Sequence, residues 1–351
     1  MYKILESDLL EGFKKLNEKY PIVIPQKLDE AYYLHFIPVN EWKNDPDFYS
    51  PIRTPQPLKS LFSPPRQNVA TYPKQSNPLV EFMPYVIVGQ KACDIHALKI
   101  IDKVYLEGDF PDPYYSMARE NHILISTDCL EAGDYCYCTL MNCQPYPKSD
   151  FDLNLSKIGN QYLFEIGSNK GKEFLHNFFS SLEEAPESLI LEREKLRERV
   201  TEQIVRNNSN FIFRENHQNA IEKHLDSPEW EDLSKTCVEC GTCTQICPTC
   251  HCFLMFDQPI GTHYQRIKIW DSCFFAGYSR MAGGLTPRLK LADRFKNRFY
   301  HKFDSFVTNY GIEACTGCGR CVEGCMGKID LREVLLELEK RVVLKENIDL
   351  I

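Results

Sequence analysis

One cysteine spacing occurs twice in this chain. It runs Cys237-x2-Cys240-x2-Cys243-x3-Cys247, followed by Pro248, and again Cys315-x2-Cys318-x2-Cys321-x3-Cys325. Cysteines at intervals of three residues force a tight loop whose sulfurs converge, so the fold must bring each loop to a shared centre. Disulfides and metal are the two chemistries that would use such sulfurs. At 351 residues the chain can bury a full core and needs no covalent staples. Its opening stretch, MYKILESDLLEGFKKLNEKY, mixes charged and apolar residues with no continuous apolar run, so a cytoplasmic setting with reduced thiols is expected. No segment approaches the ~18 consecutive apolar residues of a membrane-spanning helix. Sixteen cysteines in a reducing compartment point to metal. The net charge of -8 argues against nucleic acid as a partner, which needs a dense basic face. The one basic run, RFKNRFYHKF from Arg294, reads as a solvated face or a protein contact.

The repeated spacing is the one that binds 4Fe-4S cubanes in bacterial-type ferredoxins, where the fourth cysteine of each run ligates the other cluster. One cluster is therefore assigned to Cys237, Cys240, Cys243 and Cys325, and the second to Cys315, Cys318, Cys321 and Cys247, with iron as the metal in both. Gly241 and Gly319 stand where backbone must pass close to sulfide. A four-cysteine zinc site built from the two Cys-x2-Cys pairs would leave Cys243, Cys247, Cys321 and Cys325 idle at ligand spacing. Between the two motifs lies a long insertion accompanied by Cys250, Cys252 and Cys273. Three cysteines cannot fill four cubane corners, and they read as packed, thiol-bearing core residues.

Along the rest of the chain, apolar spacing predicts an amphipathic helix over 3–20 and a strand at YYLHFIPV (32–39), followed by an extended, irregular segment over 44–79. MPYVIVG (83–89), DIHALKIIDKVYL (94–106) and NHILIST (121–127) then read strand, helix, strand. The expected architecture is an α/β N-terminal domain with a βαβ parallel core over 1–185, then a helical linker over 186–225. An α-helical C-terminal domain over 226–351 would contain the split two-cluster ferredoxin module, with an insertion at 253–310. Cys93 and Cys129 each follow a strand of the βαβ unit, and Cys136, Cys138 and Cys143 lie just beyond. The ends of parallel strands gather at one edge of a sheet, where α/β proteins build their sites, so a third cluster is expected there.

CDIHALKIIDKVYLEG, DPYYSMARENHILI, CYCTLM, FDLNLSKIG, CVECGTCTQICPTCHCF, WDSCFFAGYSRMAGG, RFYHKF and CTGCGRC occur in that order across residues 83–330. In these stretches the chain resembles the beta subunit of cytosolic sulfhydrogenases and the A subunit of anaerobic sulfite reductase. The resemblance implies an iron–sulfur module of a hydrogenase, sulfite-reductase or disulfide-reductase complex, relaying electrons between a flavin subunit that handles NAD(P)H or another donor and a metal-centred catalytic subunit. In that family a glycine stands at the place of Cys143, which leaves Cys93, Cys129, Cys136 and Cys138 as the third ligand set. Lys91-Ala92 replaces the family's Arg-Pro before Cys93, and Met326 replaces a proline after Cys325. A relay needs no acid or base, so no catalytic residue is assigned. Two other readings remain at this stage. One is an oxidoreductase subunit with its own flavin or substrate site in the α/β domain, although no G-x-G-x-x-G fingerprint is found. The other is a zinc-stabilised interaction module.

Overall fold

The computed structural model describes residues 1–42, 48–73 and 82–348, without the side chains of 341–348. It divides into two compact units. The first comprises Met1–Ser63, Asn77–Asn207 and Thr316–Cys318, and the second Pro64–Ser76, Asn208–Cys315 and Gly319–Ile351. The strands are β1 (Tyr2–Leu5), β2 (Ile22–Leu28), β3 (Ala31–Ile37), β4 (Arg66–Tyr72), β5 (Val86–Gln90) and β6 (Ile123–Thr127). They continue with β7 (Leu153–Ile158), β8 (Gln161–Ile166), β9 (Glu183–Glu184), β10 (Phe253–Ile260) and β11 (His263–Trp270).

The first unit is built on one mixed sheet with the order β3-β2-β5-β6-β7-β8-β1-β9. Its centre, β2-β5-β6-β7, is parallel, and the flanking pairs are antiparallel. Every residue of β5 and β6 is buried, as expected of central parallel strands covered on both faces. Alternation along them sorts the core. Val86, Val88, Ile123 and Ile125 join Leu9, Phe13 and Phe174 on one face, while Ile87 and Leu124 meet Ile95, Leu98 and Tyr115 on the other. Each such apolar side chain contributes on the order of 1.5–3 kcal/mol on burial. The βαβ unit closes through the helix Ala92–Tyr105. The helix that follows, Pro113–Asn121, is started by Asp112, whose side chain accepts from the Tyr114 and Tyr115 amides.

Several sequence expectations need correction here. Residues 2–5 are strand rather than the first turn of a helix, because β1 pairs with β8, a partner more than a hundred residues away. The segment 44–79 holds a short helix, Lys59–Phe62, and β4; positions 43–47 and 74–81 lie outside the described residues. The helix Glu187–Asn207 is no free linker. It belongs to the first unit, burying Arg193, Arg197, Val200 and Ile204, and its thin apolar stripe is completed by buried arginines that pair with acids of that unit.

The second unit is not wholly helical. The insertion opens with an antiparallel hairpin, β10 against β11 in register from Phe253↔Trp270 to Ile260↔His263, and β4 adds a third strand. Gly261 turns the hairpin at φ +58°. A helix then runs from Leu291 to Tyr300, widens into a π turn over His301–Ser305 and resumes over Phe306–Tyr310. Trp230, Phe274, Phe295 and Phe299 form its aromatic core, with Trp230 and Phe299 ring centroids 5.7 Å apart.

Candidate iron–sulfur centres

The two cysteine loops share one backbone pattern. Residues in the left-handed region precede and follow the second cysteine of each: Glu239 (φ +57°) and Gly241 (φ +71°) in the first, Gly317 (φ +63°) and Gly319 (φ +74°) in the second. Alternating left- and right-handed residues aim successive amide N–H groups into a concavity that suits an anion such as a sulfur cluster. Each loop then enters a short helical turn, Thr242–Gln245 or Arg320–Glu323, which carries Cys243 or Cys321. At Gly241 a side chain would collide with Phe275, its Cβ coming to 2.8 Å, so glycine is required on two counts. Glu239, strained at positive φ, is held by the buried Arg294, whose guanidinium also bonds the Phe274 and Arg288 carbonyls.

Within the second unit the fourth cysteines sit with the opposite loop. Cys325 lies within electrostatic reach of Cys237, and a Cβ on Gly327 would stand 3.4 Å from Cys237 Cα. Cys247 lies in contact with Lys302, whose Nζ donates to Cys247 Sγ (3.3 Å), Thr249 Oγ1 (2.8 Å) and the carbonyl of Ala314 (2.9 Å), the residue before Cys315. Thr249 Oγ1 itself donates to that same carbonyl at 2.7 Å. The eighth residue of the set, Cys318, falls in the stretch grouped with the first unit, where Arg53 Nε donates to its carbonyl.

Two cations accompany these sulfurs. Burial opposes the charge of Lys302, yet the sulfurs of Cys247, Cys250 and Cys315 hold its pKa above the usual lysine value. Burial likewise opposes the charge of Arg298, which Cys243, Cys321, Cys250 and Cys247 together keep well up. Arg298 Nε and Nη2 are buried with no hydrogen-bond acceptor among the described residues. Buried donors of that kind are costly, at ~1–3 kcal/mol each, unless an acceptor arrives. A cubane with four thiolate ligands is an anion rich in sulfur acceptors, so loops, cations and orphaned donors all fit it. This overturns the reading of RFKNRFYHKF as a solvated face: Arg294, Arg298 and Lys302 are each at most 5% exposed. Their spacing at i and i+4, with Phe295, Phe299 and Phe303 beside them, was the available signal of an inward-facing stripe.

The pull on the thiols varies. Cys240 is held below the usual thiol range by the hydroxyl and amide of Thr242. Burial pushes Cys243 up to about 12 despite Arg298. Metal binding at such a thiol is coupled to loss of its proton.

In the first unit Cys129, Cys136, Cys138 and Cys143 gather after β6. Cys129 N donates to the Pro145 carbonyl and Cys143 N to the Cys138 carbonyl, through a left-handed Asn142. A Cβ on Gly133 would touch Cys136 Sγ at 3.1 Å. Cys138 feels Cys143, Cys129 and Cys136 as neighbouring charges, and burial raises Cys129 to about 12 and Cys143 to about 11. Cys93 is buried in the first turn of the helix after β5, and Lys91 lies within reach of both Cys93 and Cys129. Lys91 Nζ is tied to Thr127 Oγ1 and the Asp128 carbonyl, over the ring of Tyr49, and burial lowers it to about 8. Cys143, set aside on sequence grounds, thus shares the apolar cluster of Cys138, Val200 and Ile204. Gly317 packs onto Tyr137 and Cys138, where a Cβ would stand only 2.6 Å from Cys138 Cα, and its carbonyl accepts from Tyr137 N at 2.8 Å. Among the described residues no group of three or more His, Cys, Asp or Glu is gathered closely enough for a single metal ion.

Residues 236–329 match the family model of a 4Fe-4S dicluster domain. The chain is 32% identical over 308 residues to Sulfhydrogenase 2 subunit beta of Pyrococcus furiosus, covering 83% of this chain and 85% of that protein.

Proposed function

The chain belongs to the sulfhydrogenase beta-subunit family, and from that premise we propose that it passes single electrons between a flavin subunit handling NAD(P)H and a metal-centred catalytic subunit in the cytoplasm. At the coarser level it is an iron–sulfur electron-transfer subunit of a hydrogenase-type complex. The observation that supports its iron–sulfur part is the pair of like-shaped cysteine loops with Arg298 and Lys302 buried beside them.

When bound, a 4Fe-4S cluster supplies a reversible one-electron change on iron. Cys237, Cys240, Cys243 and Cys325 would hold one cluster and Cys315, Cys318, Cys321 and Cys247 the other. The loop amides donate to sulfur, and Lys302 offsets the negative charge around Cys247 and Cys315. Arg298 does the same between Cys243 and Cys321, turning otherwise idle N–H groups toward sulfur acceptors. Burial by Trp230, Phe295 and Phe299 limits water near this side and so sets the potential. Cys93, Cys129, Cys136 and Cys138 are the proposed ligands of a third cluster, with Lys91 as the local cation. No residue is required to move a proton to substrate, so the subunit has no catalytic side chain of its own. Among the described residues no helix is long and apolar enough to cross a membrane.

A face for partner subunits supports the role. Phe253, Leu254, Met255 and Phe256 along β10 are all substantially exposed, more apolar surface in one strand than an isolated protein usually leaves uncovered. The test is anaerobic purification of the tagged chain with its copurifying subunits. Reduction by NAD(P)H should generate cluster signals from this chain in the complex and not in the isolated chain. A complex that conducts electrons from NAD(P)H at the same rate after this chain is removed contradicts the proposal.

A further inference from the structure

One cavity in the second unit uses none of the cysteines assigned above. It has a volume of about 320 Å³ and is lined by Cys250, Cys252, Cys273, Tyr278, Arg298 and Lys302, among others. That volume falls in the range of ~300–1,000 Å³ typical of ligand sites.

The hairpin builds it. Phe253 pairs with Trp270, and Asp271 N donates to the Cys252 carbonyl at 2.9 Å, so the residues flanking the open end of β10 and β11 are neighbours. Cys252 and Cys273 thereby come within electrostatic reach of each other, and Tyr278 lies within reach of both. The opposite wall is the helix from Leu291, which presents Arg298 and Lys302 on one face four residues apart, at the start of the π turn. Turns of that kind recur at functional sites. Cys250 lies on this cationic side, within reach of both Arg298 and Lys302. Three thiols packed merely as small core residues would be closed in by other side chains, with no cavity beside them. Here they line a cavity together with two buried cations, Arg298 and Lys302. A cavity of that size, with three sulfurs and two cations on its wall, suits an anionic sulfur-bound group larger than a single ion.

We propose that this pocket holds a further iron–sulfur cluster, ligated by Cys250, Cys252 and Cys273, whose fourth corner carries no cysteine and faces the cavity. The site extends the iron–sulfur reading of the chain but shares no ligand with the ferredoxin-type clusters or with the group after β6. An iron without a cysteine exchanges its ligand and is the first to leave on oxidation, which gives the cluster a distinct signature.

The experiment uses full-length protein reconstituted anaerobically, compared with a Cys252→Ser/Cys273→Ser double variant and with Cys250→Ser. Each variant should bind about four fewer irons and four fewer sulfides per chain, keeping the reduced ferredoxin-type signals. Brief ferricyanide oxidation of the parent should produce a three-iron cluster signal by electron paramagnetic resonance, absent from the variants. Variants that retain the parent's iron overturn the proposal. So does a parent that shows no three-iron signal, a readout independent of whether any variant folds. Failure of the ferredoxin-type assignment would appear elsewhere, as Cys237→Ser and Cys315→Ser variants that lose no iron.

Discussion

The sulfurs of the two ferredoxin-type loops and the sulfurs gathered after β6 are differently provided with charge. In the second unit Arg298 and Lys302 are buried among thiols, with donors aimed at sulfur or at nothing described. In the first unit the charges near Cys129 are already committed. Arg197 is locked to Asp128 by Nε and Nη2, at 2.9 and 3.1 Å, and Asn154 and Ser156 complete that carboxylate. Lys91 is held by Thr127 Oγ1 and the Asp128 carbonyl, and burial works against its charge. The second unit thus keeps cationic donors beside its sulfurs, whereas in the first unit the donors of Lys91 and Arg197 are taken up by oxygen acceptors. A cluster in the first unit would feel less positive charge, and its potential should lie lower than those of the ferredoxin-type pair.

The sharpest break in this comparison is Cys136→Ala in the full-length chain. It should remove about four irons while the signals of the two loop clusters persist, since these share no ligand with it. Unchanged iron content would return the thiols after β6 to the core. Next is Arg197→Ala. Cutting one side of a buried, fully hydrogen-bonded ion pair should destabilise the first unit by about 3–5 kcal/mol, read as lost hydrogen-exchange protection in β6 and β7 with protection in β10 and β11 unchanged. A loss below 1 kcal/mol would mean that Asp128 is not the anchor of that region.

His122 gives a smaller, pH-dependent effect in the same unit. It accepts from the Tyr85 amide and stacks on Tyr85, and burial lowers it to about 4 against the pull of the Leu61 carbonyl. An unfolded histidine titrates near ~6.5, so its contribution is complete above that pH and is lost as pH falls toward 4, by up to about 3 kcal/mol. Exchange protection of β5 should fall over this window in the parent and stay flat in His122→Gln. Lys302→Met is the mildest change. Removing a positive charge disfavours the reduced, more negative cluster, so the potential of the Cys315 cluster should drop by on the order of tens of millivolts with iron content retained. An unmoved potential would remove Lys302 from the account.

What the sequence made legible follows from how local each constraint is. The cysteine spacing is enforced over a dozen residues by one bound group, so the loops and the required Gly241 and Gly319 could be read directly. The parallel strands β5 and β6 were equally visible as apolar runs around the helix with Cys93. Features set by distant partners were hidden. β1 exists because β8 lies beside it, and the burial of Arg298 and Lys302 depends on the sulfurs that the helix from Leu291 faces, so a basic run looked like surface. The hairpin of the insertion hid for another reason: Phe253, Leu254, Met255 and Phe256 show no alternation, being exposed on both faces.

The central claim, that the two loops form one module by exchanging their fourth cysteines, is tested most directly by Cys247→Ser in the anaerobic full-length protein. With 57Fe Mössbauer and paramagnetic resonance, the account predicts loss or conversion of the cluster held by Cys315, Cys318 and Cys321, with the cluster of its sequence neighbours Cys237, Cys240 and Cys243 intact. Perturbation of the Cys237 cluster alone would contradict it.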